Sequence, residues 1–206
     1  MSSTHPPSTA DRLWGATQRV IAAAALLALA PLLGAITVLV RTESRGPAVF
    51  RQSRPGRGER MIEALKFRTM YQHSESKTRL GVSAGDPRIT RVGRILRATK
   101  LDELPQLWNI VRGDMRFVGP RPIPLALHEE LSRHIPGFEQ RYAVHPGLTS
   151  LAQVCIADNG LDEHLVRDWS QRFEAERRYI RNRCLLYDLI VIALTGLYVA
   201  RKVVRR

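Results

Sequence analysis

"VIAAAALLALAPLLGAITVLV", Val20 to Val40, carries no charge in 21 positions and is bounded by Arg19 and Arg41. About 20 apolar residues suffice to cross a hydrocarbon core as a helix, so the run has membrane-spanning length. A cleaved secretory signal has a shorter apolar region, about 7–15 residues, and precedes a domain free to translocate. Here Arg41, Arg45, Arg51, Arg54, Arg57 and Arg60 follow, a density of positive charge that holds the rest of the chain on the cytoplasmic side. Pro31, near the middle, removes a helical hydrogen bond and clashes with the preceding turn, so a kink is the least consequence expected. Two arrangements satisfy that: a tilted span with a tolerated proline, or a helix broken at Pro31 that enters and leaves the membrane by one face. Hydropathy does not choose between them.

Outward from this run, 206 residues leave room for one further domain with its own core. The expected division is a disordered or interfacial N-terminus over residues 1–18, the membrane helix over 19–41, and a single cytoplasmic domain over 42–206. The net charge is +13, with 28 arginines against 4 lysines. A planar guanidinium suits bidentate contact with phosphate, so nucleic acid, a membrane surface and a phosphorylated small molecule are the three partner classes to weigh. Aromatic residues make up only 6% of the chain and no nucleic-acid motif is present, which argues against a membrane-tethered nucleic-acid binder. Cys155 and Cys184 form no CxxC or Cys/His cluster, so neither a disulfide framework nor a zinc site is indicated.

The remaining pattern predicts an α+β chain, predominantly helical. Gly46-Pro47 reads as a turn, and "AVFRQ" and "MIEALKF" flanking "SRPGRGE" read as a short β-hairpin. Residues 72–87 are polar and loop-like. Thr90 is a helix cap, followed by Val92, Ile95 and Leu96 on one side and Arg91, Arg94 and Arg97 on another, a ladder that serves equally as a solvated face or a ligand site. A helix over about Asp162 to Asn182 aligns Leu165, Trp169, Phe173 and Ile180 for the core. The last segment, "CLLYDLIVIALTGLYVARKVVRR", is marked by Asp188 and ends in basic residues, as an interfacial amphipathic helix does.

In "ATKLDELPQLW", Asp102 and Glu103 stand side by side ahead of Pro105, a residue at home near a helix start. Acidic residues there stabilise a helix through its dipole by roughly 0.3–1 kcal/mol, so capping alone accounts for the pair.

"GPAVFRQSRPG", "LKFRTM", "DPRITRVGRILRATKLDELPQLWNIVRGDM", "VGPRP" and "HPGLTSLAQV" resemble, in order, the successive motifs of the bacterial sugar transferases, the monotopic polyprenyl-phosphate phosphoglycosyl transferases. The likeness runs from about Arg19 to Val199 and is strongest between Gly46 and Val154. It implies an enzyme of the bacterial inner membrane, its catalytic domain facing the cytoplasm, that moves a sugar-1-phosphate from a UDP-sugar to undecaprenyl phosphate with Mg²⁺. It also implies a re-entrant membrane helix broken at Pro31. Its catalytic dyad matches Asp102 and Glu103: Asp102 as the nucleophile that expels UMP, Glu103 as the Mg²⁺ ligand. Lys66, Arg97 and Arg121 match positions near the phosphates, and His145 stands where the family carries an arginine close to them, so a pH-dependent contact is expected there. Asn109, Asp114 and Asp188 recur in the pattern but suit structural roles, while Gly119, Pro120 and Pro122 suit a loop that presents Arg121. Two departures stand out: Ala30-Pro31 replaces the usual Ser-Pro, and Trp14 to Gln18 lacks the family's basic-x-x-Asp pattern. The resemblance is compatible with a homo-oligomer and names no sugar. The chemical rival is a membrane-anchored glycosyl transferase that releases UDP.

Overall fold

In the computed structural model, which describes residues 9–72, 86–156 and 165–204, the apolar run lies inside one long helix, α1 (Thr9–Glu43). The helix starts ahead of the apolar run, so Thr9 to Gln18, expected as disordered or interfacial, are helical, and residues 1–8 fall outside the described residues. Pro31 lies inside α1, and the helix continues through it without the expected break. The reason is tertiary: both halves pack on the same domain. Ala22, Leu26 and Leu29 meet Leu107, Ile110 and Met115, while Leu33, Ile36 and Val40 meet Ala48, Phe67 and Leu96.

Each end of α1 is also fastened. At the start, Trp14 Nε1 donates to Asp188 Oδ2 at 2.7 Å, and the buried Gln18 accepts the Phe117 N–H at 2.9 Å. Gln18 thus binds backbone through an amide oxygen, within the stretch where the family pattern led us to look for a carboxylate. At the far end, Glu43 accepts the N–H groups of Arg91 and Val92, at 2.6 and 2.8 Å, in the first turn of α2 (Arg91–Thr99). Those donors have no partner within their own helix, so the carboxylate satisfies them and complements the dipole. Arg68 donates to the carbonyls of Val40, Ser44 and Arg45 and closes off the same end.

The hairpin forms as expected, with β1 (Val49–Pro55) antiparallel to β2 (Met61–Phe67) and Val49 opposite Phe67; β1 runs on through Arg54 and Pro55. Thr90 caps α2, its hydroxyl accepting from the Gly93 N–H at 2.9 Å. Gly93 brings α2 against the hairpin's exit: an added Cβ would stand 2.2 Å from the Thr69 carbonyl. After α2 come α3 (Gln106–Arg112), β3 (Arg116–Val118), α4 (Leu125–His134), β4 (Gly147–Thr149) and α5 (Leu151–Cys155). β3 and β4 pair in parallel, a contact that three-residue strands do not announce in sequence. The buried Asn109 takes the structural role expected of it, accepting from the Leu65 N–H and donating to the Glu63 carbonyl, which ties α3 to β2.

α6 (Leu165–Asn182) buries Phe173, with Leu165 and Trp169 beside it, against Ile123, Leu127, Leu131 and Phe138. Ile180 joins a neighbouring cluster around Val118, Tyr179 and Val191. α7 (Leu185–Val204) follows; its Asp188 is buried, taking hydrogen bonds from Trp14 and Tyr179, while Leu185, Leu186, Leu189, Ile190 and Leu197 face outward. On α1 only 11% of the most apolar 18-residue window is buried, and it is the one described helix long and apolar enough to cross a membrane. Exposed apolar surface on this scale suits a lipid environment.

Candidate active site

The acidic pair sits where two helices are joined by a reversal. α2 ends at Lys100, which adopts left-handed backbone angles (φ 62°), and Leu101–Glu103 forms a single 3-10 turn before α3. A non-glycine residue in that region costs about 1–3 kcal/mol, and such strain is retained where the surroundings impose it. Capping does not explain the pair. The residue at the cap of α3 is Pro105, which makes no side-chain cap bond, and the Glu103 carboxylate turns to cations instead.

Lys66 on β2 donates to Glu103 Oε1 at 2.8 Å. Arg121 clamps the same carboxylate with two bonds, 2.5 Å to Oε1 and 3.3 Å to Oε2. Burial alone would push the Glu103 carboxyl up, but Arg121 and Lys66 outweigh it and hold the group well below the usual carboxylate range. Asp102 behaves in the opposite way: burial pushes its pKa up, with neighbouring Glu103 adding to the rise and Lys66 opposing it. Its Oδ1 is buried and accepts no hydrogen bond. Two adjacent carboxylates have therefore been driven apart, one fixed as an anion by its cations and one with a buried oxygen that accepts no hydrogen bond.

Lys66 is half-buried. Desolvation pulls its pKa down to about 8, an effect that Glu103 opposes and Arg121 and Arg54 reinforce. Loss of this charge on raising the pH is expected to give kcat/KM a basic limb near pH 8, since that parameter reports the free enzyme. In Lys66→Arg the limb moves out of range, because arginine stays charged; an unmoved limb in the variant would remove Lys66 from the site.

Arg121 is held by groups that a reading of the sequence alone missed. The buried Glu176 of α6 accepts its backbone N–H at 3.3 Å, and the buried Arg141 donates to its carbonyl at 2.7 Å. Arg141 and Glu176 pair with each other at 2.9 and 3.1 Å. Arg54, at the end of β1, donates to the carbonyl of Pro122, so Gly119 to Pro122 is pinned from two sides. Glu176 does leave a trace in sequence: it falls on the apolar stripe of α6, seven residues after Trp169, where a carboxylate must find a partner. Asp114 forms an ion pair with Arg112 at 3.2 Å, a local contact that orders the end of α3.

Of the other expected residues, Arg97 lies within electrostatic reach of Asp102 and donates to Thr69 Oγ1 at 2.7 Å. His145 goes elsewhere. It lines a separate cleft with Asp11, Arg57 and Arg116, and burial together with those cations pushes its imidazole down to about 4, which leaves it neutral at physiological pH. The His145 carbonyl packs against Gly119, where an added Cβ would stand 2.4 Å away, so this loop gives its backbone to the Arg121 loop. The structure thus places the His145 side chain in that cleft rather than among Glu103, Lys66 and Arg121.

Glu103, Lys100 and Arg121 open onto a cleft of about 300 Å³ whose other wall is apolar, including Phe117, Leu148, Ile192 and Val199. A ligand with a charged end and a hydrocarbon tail matches both halves of that lining.

The chain matches the family model described as bacterial sugar transferase over residues 12–202. It is 45% identical over 177 residues to a UDP-glucose:undecaprenyl-phosphate glucose-1-phosphate transferase of Caulobacter vibrioides, covering 85% of this chain and 66% of that protein. It is 37% identical over 178 residues to the transferase of the same name in Escherichia coli, covering 85% of this chain and 38% of that one. With the exopolysaccharide production protein PSS of Rhizobium leguminosarum it shares 42% identity over 175 residues, 82% of this chain and 85% of the relative. The chain thus spans less than two thirds of the first two relatives and most of the third. A match along nearly its whole length, over the helix, the hairpin and the acidic dyad alike, makes this chain a member of the bacterial sugar transferase family.

Proposed function

We propose that the protein transfers a sugar-1-phosphate from a UDP-sugar to undecaprenyl phosphate, releasing UMP and starting a membrane-linked glycan. The observation that carries this reading is the buried Asp102 carboxylate, whose Oδ1 accepts no hydrogen bond, next in the chain to Glu103, which pairs with Lys66 and Arg121 and lines an amphipathic cleft with Arg121. A carboxylate oxygen of Asp102 attacks the sugar-bearing phosphorus of the donor. The bond from that phosphorus to the bridging oxygen breaks, its electron pair leaves with UMP, and the phosphosugar remains on Asp102 as an acyl phosphate. A phosphate oxygen of undecaprenyl phosphate then attacks the same phosphorus, and the aspartyl oxygen leaves as the regenerated carboxylate. Lys66, Arg97 and Arg121 neutralise charge on the phosphoryl oxygens, which two carboxylates would otherwise repel.

The residues present fit Mg²⁺, which takes one or two carboxylates and completes its shell with substrate phosphates and water. Glu103, whose Oε2 makes a single hydrogen bond at 3.3 Å, would be the carboxylate that holds it. Bound there, the ion supplies charge neutralisation on a diphosphate. Sugar-1-phosphate transfer to undecaprenyl phosphate is also what the names of the Caulobacter and Escherichia relatives describe.

The reading includes monotopic attachment at the inner membrane with the catalytic domain in the cytoplasm. Trp14 and Gln18 near one end of α1, and Glu43 at the other, are all fastened to the same domain. A helix about 50 Å long by its rise could not cross the membrane without pulling one end free. In a background without Cys155 and Cys184, Thr9→Cys and Ser53→Cys are both expected to react only with reagent applied from the cytoplasm. Labelling of Thr9→Cys from the periplasm would establish a span.

The function itself is tested by nucleotide release from the purified protein across a panel of UDP-sugars, with and without undecaprenyl phosphate. UMP is expected with at least one donor, with sustained turnover only when the acceptor is present. UDP as the nucleotide product would instead establish the glycosyl transferase.

A further inference from the structure

The cleft that receives His145 lies apart from the dyad, shares no lining residue with the catalytic cleft, and has a volume of about 260 Å³. Its walls come from four places in the chain: Asp11, Arg12, Gly15, Ala16 and Arg19 on the first turns of α1, Arg57 at the hairpin turn, Arg116 on β3, and His145 before β4. Arg183 joins this charge cluster through its ion pair with Asp11, 3.4 Å between Nη1 and Oδ1. Five guanidinium groups thus gather near two carboxylates, Asp11 and Asp188, the second of which already accepts from Trp14 and Tyr179. Gathering like charges is unfavourable, yet the fold builds the arrangement in. The Arg116 guanidinium lies so close to the α1 backbone that an added Cβ on Gly15 would stand 2.0 Å from its Nη1. Alanine at that position would expel it. The first turns of α1 add the positive end of a 35-residue helix to the same place.

We propose that this cleft is a second anion site that binds a phosphate group, separate from the catalytic phosphate site. Guanidinium groups contributed by α1, the hairpin turn and β3 suit phosphate oxygens, and a bound phosphate neutralises part of the positive charge that Asp11 and Asp188 leave in excess. The cleft lies directly before Val20, where the exposed apolar face of α1 begins, so a phospholipid headgroup can reach it from the membrane surface and a soluble phosphate from the other side. The inference does not depend on the reaction proposed above.

The test follows the unfolding temperature of the full chain in detergent micelles. Inorganic phosphate is titrated against chloride at constant ionic strength, and in a parallel series the micelles are doped with phosphatidylglycerol or with uncharged diacylglycerol. Wild type and Arg121→Gln, which weakens the catalytic clamp, are both expected to show a saturable rise with at least one phosphate probe and none with diacylglycerol. A rise with phosphatidylglycerol alone identifies the lipid headgroup as the source; a rise with inorganic phosphate at comparable occupancy identifies a free phosphate. In Arg12→Gln/Arg57→Gln the apparent affinity should fall by about tenfold or more, as expected for lost charge-assisted bonds, with a smaller loss in Arg57→Gln. Arg12 is exposed and Arg57 half-buried, so neither change disturbs the core. An undiminished rise in the double variant, a rise lost in Arg121→Gln, or no rise with either probe would overturn the proposal.

Discussion

Asp102→Asn is expected to lower turnover by roughly four orders of magnitude or more, because an amide oxygen cannot serve as the attacking anion. The protein should fold as before: Asp102 makes no hydrogen bond through Oδ1 that the amide would break, and its burial disfavours charge. Removing that charge is neutral or mildly stabilising, so activity and melting temperature should part company. Glu103→Gln is expected to behave differently, since it strips Lys66 and Arg121 of their shared counter-ion and should lower stability together with activity. Equal melting losses in the two variants would mean that Asp102 is a structural carboxylate. Wild-type rates in Asp102→Asn would end the case for covalent catalysis.

The second large effect is expected at Arg141, far from the dyad in sequence and held between aromatic rings, its guanidinium carbon 4.8 Å from the Phe138 centroid and 5.5 Å from that of Trp169. Arg141→Met leaves the Glu176 carboxylate buried and poorly compensated, a change that costs about 3–5 kcal/mol when one partner of such a pair is lost. Arg141→Met/Glu176→Leu should recover most of that stability, because apolar packing replaces a buried ion pair at little cost. Activity should stay low in the double variant. Both groups that hold the Arg121 backbone are then gone, and a displaced phosphate-binding donor costs on the order of 10²–10³ in rate. Denaturant unfolding and steady-state rates on the same preparations separate the two effects; recovery of both together would show that the pair does not position Arg121.

Much of this was legible in the sequence because the relevant signals are local. Thr90 as a cap, the alternating hairpin strands, the apolar run and the Asp102-Glu103 pair each sit within a few residues of the feature they specify. The structural roles of Asn109 and Asp188 were also readable as types, although not their partners. What escaped depends on distant contacts. The helix through Pro31 is stabilised by packing on α3 and on the hairpin, which no window around the proline contains. His145 sits next to a motif-like Pro-Gly, yet its side chain lines a cleft with Asp11, Arg57 and Arg116, which come from other parts of the chain. The Arg54, Arg141 and Glu176 braces converge on Gly119 to Pro122 from β1, the segment before β4 and α6, and only the folded chain brings them together.

Proteolysis and mass spectrometry of the wild-type protein after brief incubation with a UDP-sugar alone test the central claim most directly. A phosphosugar adduct is expected on the peptide containing Asp102, formed with one equivalent of UMP and lost when undecaprenyl phosphate is added. An unmodified Asp102 peptide, with product formed only when donor and acceptor are present together, would contradict it.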